Sequence, residues 1–186
     1  MTLTTQHIDE LLDKCRRGDG RAQMEIYNKY SKAMYNTALR IVKHSAEAED
    51  IIQECFLKAF DKLDTYEGTS TFGAWLKKIV VNYSINVYNK NVKYQEVSYN
   101  DQFRNAADEG TGITSEEEEG NPKVKMILKT LDSLKENYRV ALTLHLIEGY
   151  DYEEICEILN ISYANCRTTI SRAKESLRNK LMSYEN

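Results

Sequence analysis

An all-α chain of two small helical domains joined by a flexible acidic linker is predicted, on three observations. Apolar residues recur at helical spacing through two long tracts, and only one Pro interrupts the 186 residues. Between the tracts, residues 91–122 hold eight acids against two bases and few apolar side chains, too little buried surface to offset the entropy of ordering them. The flanks are charge-balanced, so the net charge of −4 resides in the middle segment. The expected boundaries are a first domain at 1–92, a linker at 93–121 and a four-helix second domain at 122–186.

In the first tract, Ile8, Leu11, Leu12 and Cys15 mark a short amphipathic helix, broken at Gly18-Asp19-Gly20. Asp19 is a candidate N-cap for the next helix, about Arg21 to His44, whose buried stripe is Ile26, Tyr30, Met34, Ala38 and Ile41. Ser45 can cap the following helix, with Glu47, Glu49 and Asp50 in the first turn, where negative charge complements the helix dipole. Its apolar face is Ile51, Ile52, Cys55, Phe56, Ala59, Phe60 and Leu63. Asp50, Gln53 and Glu54, at i, i+3 and i+4, form a compact acidic and amide patch on the other side. A turn over Asp64–Ser70 leads to a helix from Phe72 to Asn86. Phe72, Trp75, Leu76, Ile79, Val80, Tyr83 and Val87 form its buried stripe, and Lys78, Asn82, Asn86 and Asn89 its polar one.

In the second tract, Asn121-Pro122 suits a helix start. Val124, Ile127, Leu128, Leu131 and Leu134 are the expected core stripe of the first helix. The second runs from about Glu136 to Glu148 and stops at Gly149. Asp151-x-x-Glu154 has the form of a capping box, followed by Ile155, Cys156 and Leu159. Asn160-Ile-Ser162 is a tight turn with Ser162 as N-cap, and Cys166, Ile170, Ala173, Leu177 and Leu181 stripe the last helix. Two helices about a three-residue turn make a helix-turn-helix, whose second helix normally enters the major groove of DNA. Asn165, Thr168, Thr169 and Arg172 share one face of it, with Arg167 alongside. Asn suits adenine, and Arg suits guanine or phosphate. Lys174 and Arg178 are placed for phosphate, which positions without specifying.

These motifs resemble the extracytoplasmic-function (ECF) group of bacterial sigma factors, in the sigma-70 family, over nearly the whole chain. That family carries Asp-x-x-Gln-Glu-x-Phe, a short loop, then Trp-Leu-x-x-Ile-x-x-Asn; here these are Asp50, Gln53, Glu54 and Phe56, then Trp75, Leu76, Ile79 and Asn82. Gly18, Asp19, Ala22, Tyr27 and Tyr30 match the start of its first domain. In the second domain, Leu-Pro-x-x-Tyr-Arg is met by Leu134 to Arg139 with Lys135 for Pro, and Tyr-x-Glu-Ile-Ala by Tyr152 to Cys156 with Cys156 for Ala. The family's Thr-Val-Lys-Ser-Arg-Leu-x-Arg-Ala is met by Asn165-Cys-Arg-Thr-Thr-Ile-Ser-Arg-Ala173, so Arg167, Arg172 and Ala173 fit while Thr169 replaces an Arg.

The resemblance implies a transcription initiation factor that binds core RNA polymerase, recognises the −35 element of promoter DNA through its helix-turn-helix, and recognises and melts the −10 element. Asp50, Gln53 and Glu54 would then dock on the clamp coiled coil of the polymerase's largest subunit. Asp64 to Thr71 lies where the family grips an unstacked −10 base; Gly68 permits close backbone approach and Tyr66 offers a stacking face. Asn82 would read a base edge, and Lys77, Lys78 and Asn86 would follow the strand. Val81 before Asn82, and Asn86 and Asn89 after it, depart from the family's usual Arg-Asn, Asp and Arg, so its −10 preference does not carry over. The linker would run near the polymerase's RNA exit path. An anti-sigma factor, often membrane-bound in the family, is the implied regulator.

Other classes fit less well. His44-x-x-Glu47 and His145-x-x-Glu148 run opposite to the Glu-x-x-His of bundle di-iron sites, and no phosphate loop or nucleophile elbow occurs, so no enzyme is expected. Cys15, Cys55, Cys156 and Cys166 have no zinc-ligand spacing and are expected as reduced thiols; no metal or cofactor is expected. No apolar run nears the ~20 residues that span a bilayer, and the N-terminus lacks a signal-peptide pattern, which predicts a cytoplasmic protein with no direct membrane insertion. The alternative is a conventional helix-turn-helix regulator acting on duplex DNA without polymerase. It accounts for Asp151 to Lys180 and leaves Asp50, Gln53, Glu54 and the Trp75–Asn82 pattern unexplained.

Overall fold

A computed structural model of the chain describes residues 3–98 and 121–183. The described residues are helical with no strand, and they fall into two compact units, before residue 99 and after residue 120. Most of the expected linker, including its acidic run, lies outside the described residues.

The first unit comprises α1 (Leu3–Arg16), α2 (Gly20–Val42), α3 (Ser45–Asp61), a 3-10 turn (Leu63–Thr65) and α4 (Phe72–Ser98). α2 starts where expected: Asp19 accepts hydrogen bonds from the Arg21 and Ala22 backbone N–H groups. It ends with Lys43 in the left-handed region at φ 61°. α3 corrects the expected cap. His44, in extended conformation, is the N-cap, and its Nδ1 accepts from Glu47 N at 3.3 Å, while Ser45 is already helical. A ring nitrogen can take the place of a hydroxyl at that position, because the cap needs only an acceptor near the third backbone N–H.

α2 packs on α1, α3 and α4, so the core gathers around it. Ile26, Ala38, Cys55, Ala59, Leu76 and Val80 have no exposed surface. α4 packs on α2 and α3 together, so its buried surface is wider than the expected stripe and takes in Val81, Ser84 and Ile85. Ser84 Oγ is satisfied by donating to the Val80 carbonyl at 2.7 Å. Gly73 permits a close approach, since a Cβ there would meet the Tyr30 ring at 3.0 Å. α4 continues to Ser98, past the boundary expected at residue 92, and Asn91 donates to both Glu47 carboxylate oxygens at 3.0 Å, tying it to the start of α3.

The second unit comprises α5 (Pro122–Asp132), α6 (Glu136–Leu142) running into a π-helical segment (Thr143–Ile147), α7 (Tyr152–Leu159) and α8 (Tyr163–Met182). Asn121 caps α5 through its bond from Lys123 N, with Pro122 in the first turn. α8 is the hub, packed on α5, α6 and α7 through Cys166, Ile170, Ala173 and Leu177. The π segment closes with Glu148 N donating to Thr143 O at 3.0 Å, an i to i−5 bond. Val140, Ala141, Leu142, Thr143 and Leu144 are buried in succession across the junction of α6 with this segment. Gly149 follows with φ +82°, a conformation in which any Cβ would be strained.

The stripe expected on α5 is half right. Leu131 and Leu134 are buried, but Val124, Ile127 and Leu128 are 51%, 42% and 36% exposed. The buried residues of α5, Thr130 and Leu131, lie in its last turn, and Met126 is half-buried a turn earlier.

Candidate functional site

On α3, burial of Ile51, Ile52, Cys55 and Phe56 turns Asp50, Gln53 and Glu54 outward together, and all three are exposed. Lys58 borders them: its Nζ lies 3.9 Å from Glu54 Oε2 and 3.9 Å from the centre of the Tyr83 ring. An exposed i, i+4 pair of this kind contributes about 0.3–0.5 kcal/mol, so it orients Glu54 more than it stabilises the fold. Leu57, 65% exposed and one turn beyond Gln53 and Glu54, continues the same face. Sequence periodicity could have flagged it, as a large apolar residue in a polar stripe.

The loop before α4 is closed by aromatic packing. Tyr66 donates to the Ser70 carbonyl at 2.6 Å, and its ring centre lies 5.7 Å from that of Phe72 and 5.5 Å from that of Trp75. Burial first, then Asp9, pushes the Tyr66 phenol upward, with Arg16 opposing. Tyr66 is half-buried, so a large part of its ring is already engaged by the protein. Gly68, at φ +72°, forms the exposed bend. Thr71 opens α4, its carbonyl accepting from Ala74 N and Trp75 N. A shallow cleft of about 190 Å³ lies between this loop and α1, lined by Asp9, Leu12, Asp13, Arg16, Tyr66, Glu67 and Gly68. Arg16 there is held by Asp13 at 2.7 Å and by Asp64 at 3.9 Å. The part played by α1 was not expected, since contact between Arg16 and Asp64 has no local sequence signal.

Along α4, Lys78, Asn82 and Asn86 are exposed and recur every four residues, so they follow one face; Lys77 is half-buried. The face is backed by fully buried Leu76, Val80 and Val81.

In the second unit the turn motif forms as expected. Asp151 accepts from Glu154 N at 2.8 Å while Glu154 accepts from Asp151 N at 2.9 Å, a complete capping box. Asn160 turns the chain at φ 52°, and Ser162 accepts from Asn165 N at 3.3 Å. On α8, Asn165, Arg167, Thr168, Arg172 and Arg178 are exposed and Thr169 is half-buried. Thr169 donates to Asn165 Oδ1 at 3.2 Å, which points the Asn165 amide nitrogen away from the helix; Thr168 donates back to the Ala164 carbonyl at 2.8 Å. A shallow groove of about 530 Å³ runs along Tyr163, Ala164, Arg167, Thr168, Ser171 and Arg172. Ser171 was missed from the sequence, although it lies at i+3 and i+4 from Thr168 and Arg167. Lys174 is half-buried and turned to the π segment, its Nζ 3.1 Å from His145 Nε2, while His145 Nδ1 lies 3.1 Å from the Tyr150 carbonyl oxygen.

One unit presents an acidic and amide stripe and a Lys/Asn helix face, and the other a helix-turn-helix with a basic second helix, the form of a DNA-binding element. Residues 26–94 match the sigma-70 region 2 family model and residues 125–177 the sigma-70 region 4 model. The chain is 30% identical to the ECF RNA polymerase sigma-E factor of Escherichia coli strain K12, over 96% of this chain and 97% of that one. It is 28% identical to the RNA polymerase sigma-H factor of Pseudomonas aeruginosa, over 94% of each. Among solved structures it is similar in fold to the sigma factor RpoE of Bartonella quintana in complex with the anti-sigma factor NepR (TM-score 0.56, 23% identity, 86% of this chain, 96% of that chain). It is also similar in fold to CnrH in complex with the cytosolic domain of CnrY (TM-score 0.53, 21% identity, 93% and 96%). The chain belongs to the ECF group of the sigma-70 family, and it is a transcription initiation factor rather than an enzyme.

None of the described helices is long and apolar enough to cross a membrane. Among the described residues no group of His, Cys, Asp and Glu is arranged to hold a metal ion.

Proposed function

We propose that the chain works in the cytoplasm as a sigma factor in which residues 1–92 bind core RNA polymerase and open the −10 element, residues 93–121 link, and residues 122–186 bind the −35 element. The observation that carries this reading is the coexistence on one chain of the outward Asp50–Gln53–Glu54 stripe and the capped helix-turn-helix. A regulator that acts on duplex DNA alone has no use for the first. Asp50, Gln53 and Glu54 dock on the polymerase, with Leu57 as an apolar anchor beside them; interfaces combine such an anchor with a polar rim. Tyr66, Gly68, Lys77, Lys78, Asn82 and Asn86 handle the −10 strand, the Tyr66 ring offering its remaining free surface. Asn165, Arg167, Thr168, Thr169 and Arg172 meet the −35 element, and Arg178 takes a phosphate. Lys174 contributes to phosphate binding only by leaving His145. An anti-sigma factor controls the chain, as NepR accompanies the Bartonella quintana relative.

Run-off transcription on fragmented genomic DNA, with purified core polymerase and with or without this chain, tests the reading. Transcripts from discrete starts that require the chain are expected. Tight duplex binding by the chain alone, with no transcript, would establish the regulator instead.

A further inference from the structure

Two of the four thiols meet inside the helix-turn-helix. Cys156 stands on α7 and Cys166 on α8, and the two helices pack together. Cys166 Sγ lies 3.8 Å from the Tyr152 carbonyl oxygen. That carbonyl is the i−4 partner of the Cys156 N–H in α7, which places the Cys166 sulfur against the first turn that carries Cys156. The Cys156 thiol is close enough to help raise the Cys166 thiol above its ordinary value, after burial. Both are free cysteines; Cys166 is 1% exposed, whereas Cys156 is half-buried and reachable. Cys15 and Cys55 are buried in the other unit.

We propose that Cys156 and Cys166 are a peroxide-responsive dithiol whose closure to a disulfide shifts α8 on α7 and lowers use of the −35 element. The functional half rests on the −35 reading above; the chemical half does not. Cys156 reacts first, because burial and the neighbouring Cys156 thiol push Cys166 up to about 11 and keep it protonated. The Cys156 thiolate attacks one oxygen of hydrogen peroxide, breaking the O–O bond to give a sulfenic acid and hydroxide, which takes the thiol's proton and leaves as water. Cys166 then attacks the sulfenic sulfur, forming the S–S bond and expelling a second water with its own proton. The two thiols lose two electrons and two protons, and the peroxide gains both. A disulfide holds its sulfurs at about 2.05 Å, closer than two free thiols approach, so closing it draws α8 and α7 into a new packing.

The test treats the full chain with hydrogen peroxide, removes the peroxide with catalase, and digests with trypsin. No Lys or Arg lies between residues 140 and 166, so both thiols fall in one peptide, Val140–Arg167. That peptide is expected to lose the mass of two hydrogens, reversibly with dithiothreitol. In Cys166→Ser, Cys156 should accumulate as a dimedone-trapped sulfenic acid; in Cys156→Ser, Cys166 should stay a thiol. Oxygen gained without hydrogen loss, cross-linked chains, or equal oxidation of Cys166 in Cys156→Ser would overturn the dithiol. Holoenzyme assembled with the oxidised chain should lose run-off transcript several-fold and recover with dithiothreitol, while Cys156→Ala should be indifferent to peroxide. A confirmed disulfide with unchanged transcript would overturn the switch. If the reduced chain gives no transcript, the initiation reading fails, and the peptide mass still decides the disulfide.

Discussion

Asn82 and Arg172 each stand on an exposed helix face backed by a closed core, so replacing either removes a side chain without opening a cavity. Asn82→Ala is expected to abolish promoter melting, read as loss of permanganate-reactive thymines, with polymerase affinity unchanged. Arg172→Ala is expected to weaken −35 binding by about 1–3 kcal/mol, the worth of a good base contact, read by footprinting of the holoenzyme. Both residues were legible from helical spacing. Lys174 illustrates the limit of that reasoning. Its position on α8 was clear, but its Nζ turns to His145, 29 positions earlier. No local pattern carries such a contact. The cap of α3 has the same lesson at shorter range: hydroxyl preference pointed to Ser45, while the backbone conformation selected His44.

Among the elements, α3 is two-sided by sequence and by structure, and its outer face is separable from its inner one. Asp50→Ala with Glu54→Ala should therefore lose core polymerase binding, measured by co-elution with core enzyme, while circular dichroism and thermal melting stay as in the parent chain. The start of α7 is separable too. Its capping box is exposed, and Asp151→Ala removes one acceptor and orphans the Glu154 N–H. A loss of about 1 kcal/mol in unfolding free energy is expected by denaturant titration. Capping chemistry was readable in advance at Asp19, Asp151 and Ser162 because it is local. The failures were of tertiary origin. Val124, Ile127 and Leu128 have the right period for a core stripe, but a period says only that a face is apolar, and the packing of α5 leaves these three exposed. The π segment escaped because one inserted residue in a turn leaves no compositional trace.

For the molecule as a whole, the order and identity of the two units were legible, since each carries a motif spaced over a dozen or more residues. Each unit also buries groups that resist ionisation. Burial holds Cys55 up to about 12 in the first unit and Tyr150 up to about 12 in the second, where Glu148 and Glu154 add to the effect. The unfolded thiol and phenol lose their protons near their ordinary values of 9.0 and 10.0. Above those values the unfolded chain binds fewer protons than the folded one, so stability falls as pH rises toward about 12 and levels off beyond. Thermal melting between pH 7 and 12 should show both units indifferent at neutrality and both declining from about pH 9, since each holds a thiol whose folded value is raised, Cys55 in the first and Cys166 in the second.

The exposed face of α4 has a fixed length, and that makes it a ruler. From Lys78 to Asn86 the helix climbs about 12 Å at ~1.5 Å per residue, and a nucleic-acid strand advances ~3.4 Å per nucleotide. On the proposed reading that this face tracks the −10 strand, it spans three or four nucleotides of stacked strand, and fewer once the bases unstack. Because Asn91 is bonded to Glu47 and the inner side is closed by Val80, Val81 and Ile85, the ruler cannot bend to gain another. On that reading, the stretch of promoter met by this face is set by the stride of a helix as well as by the identity of the bases.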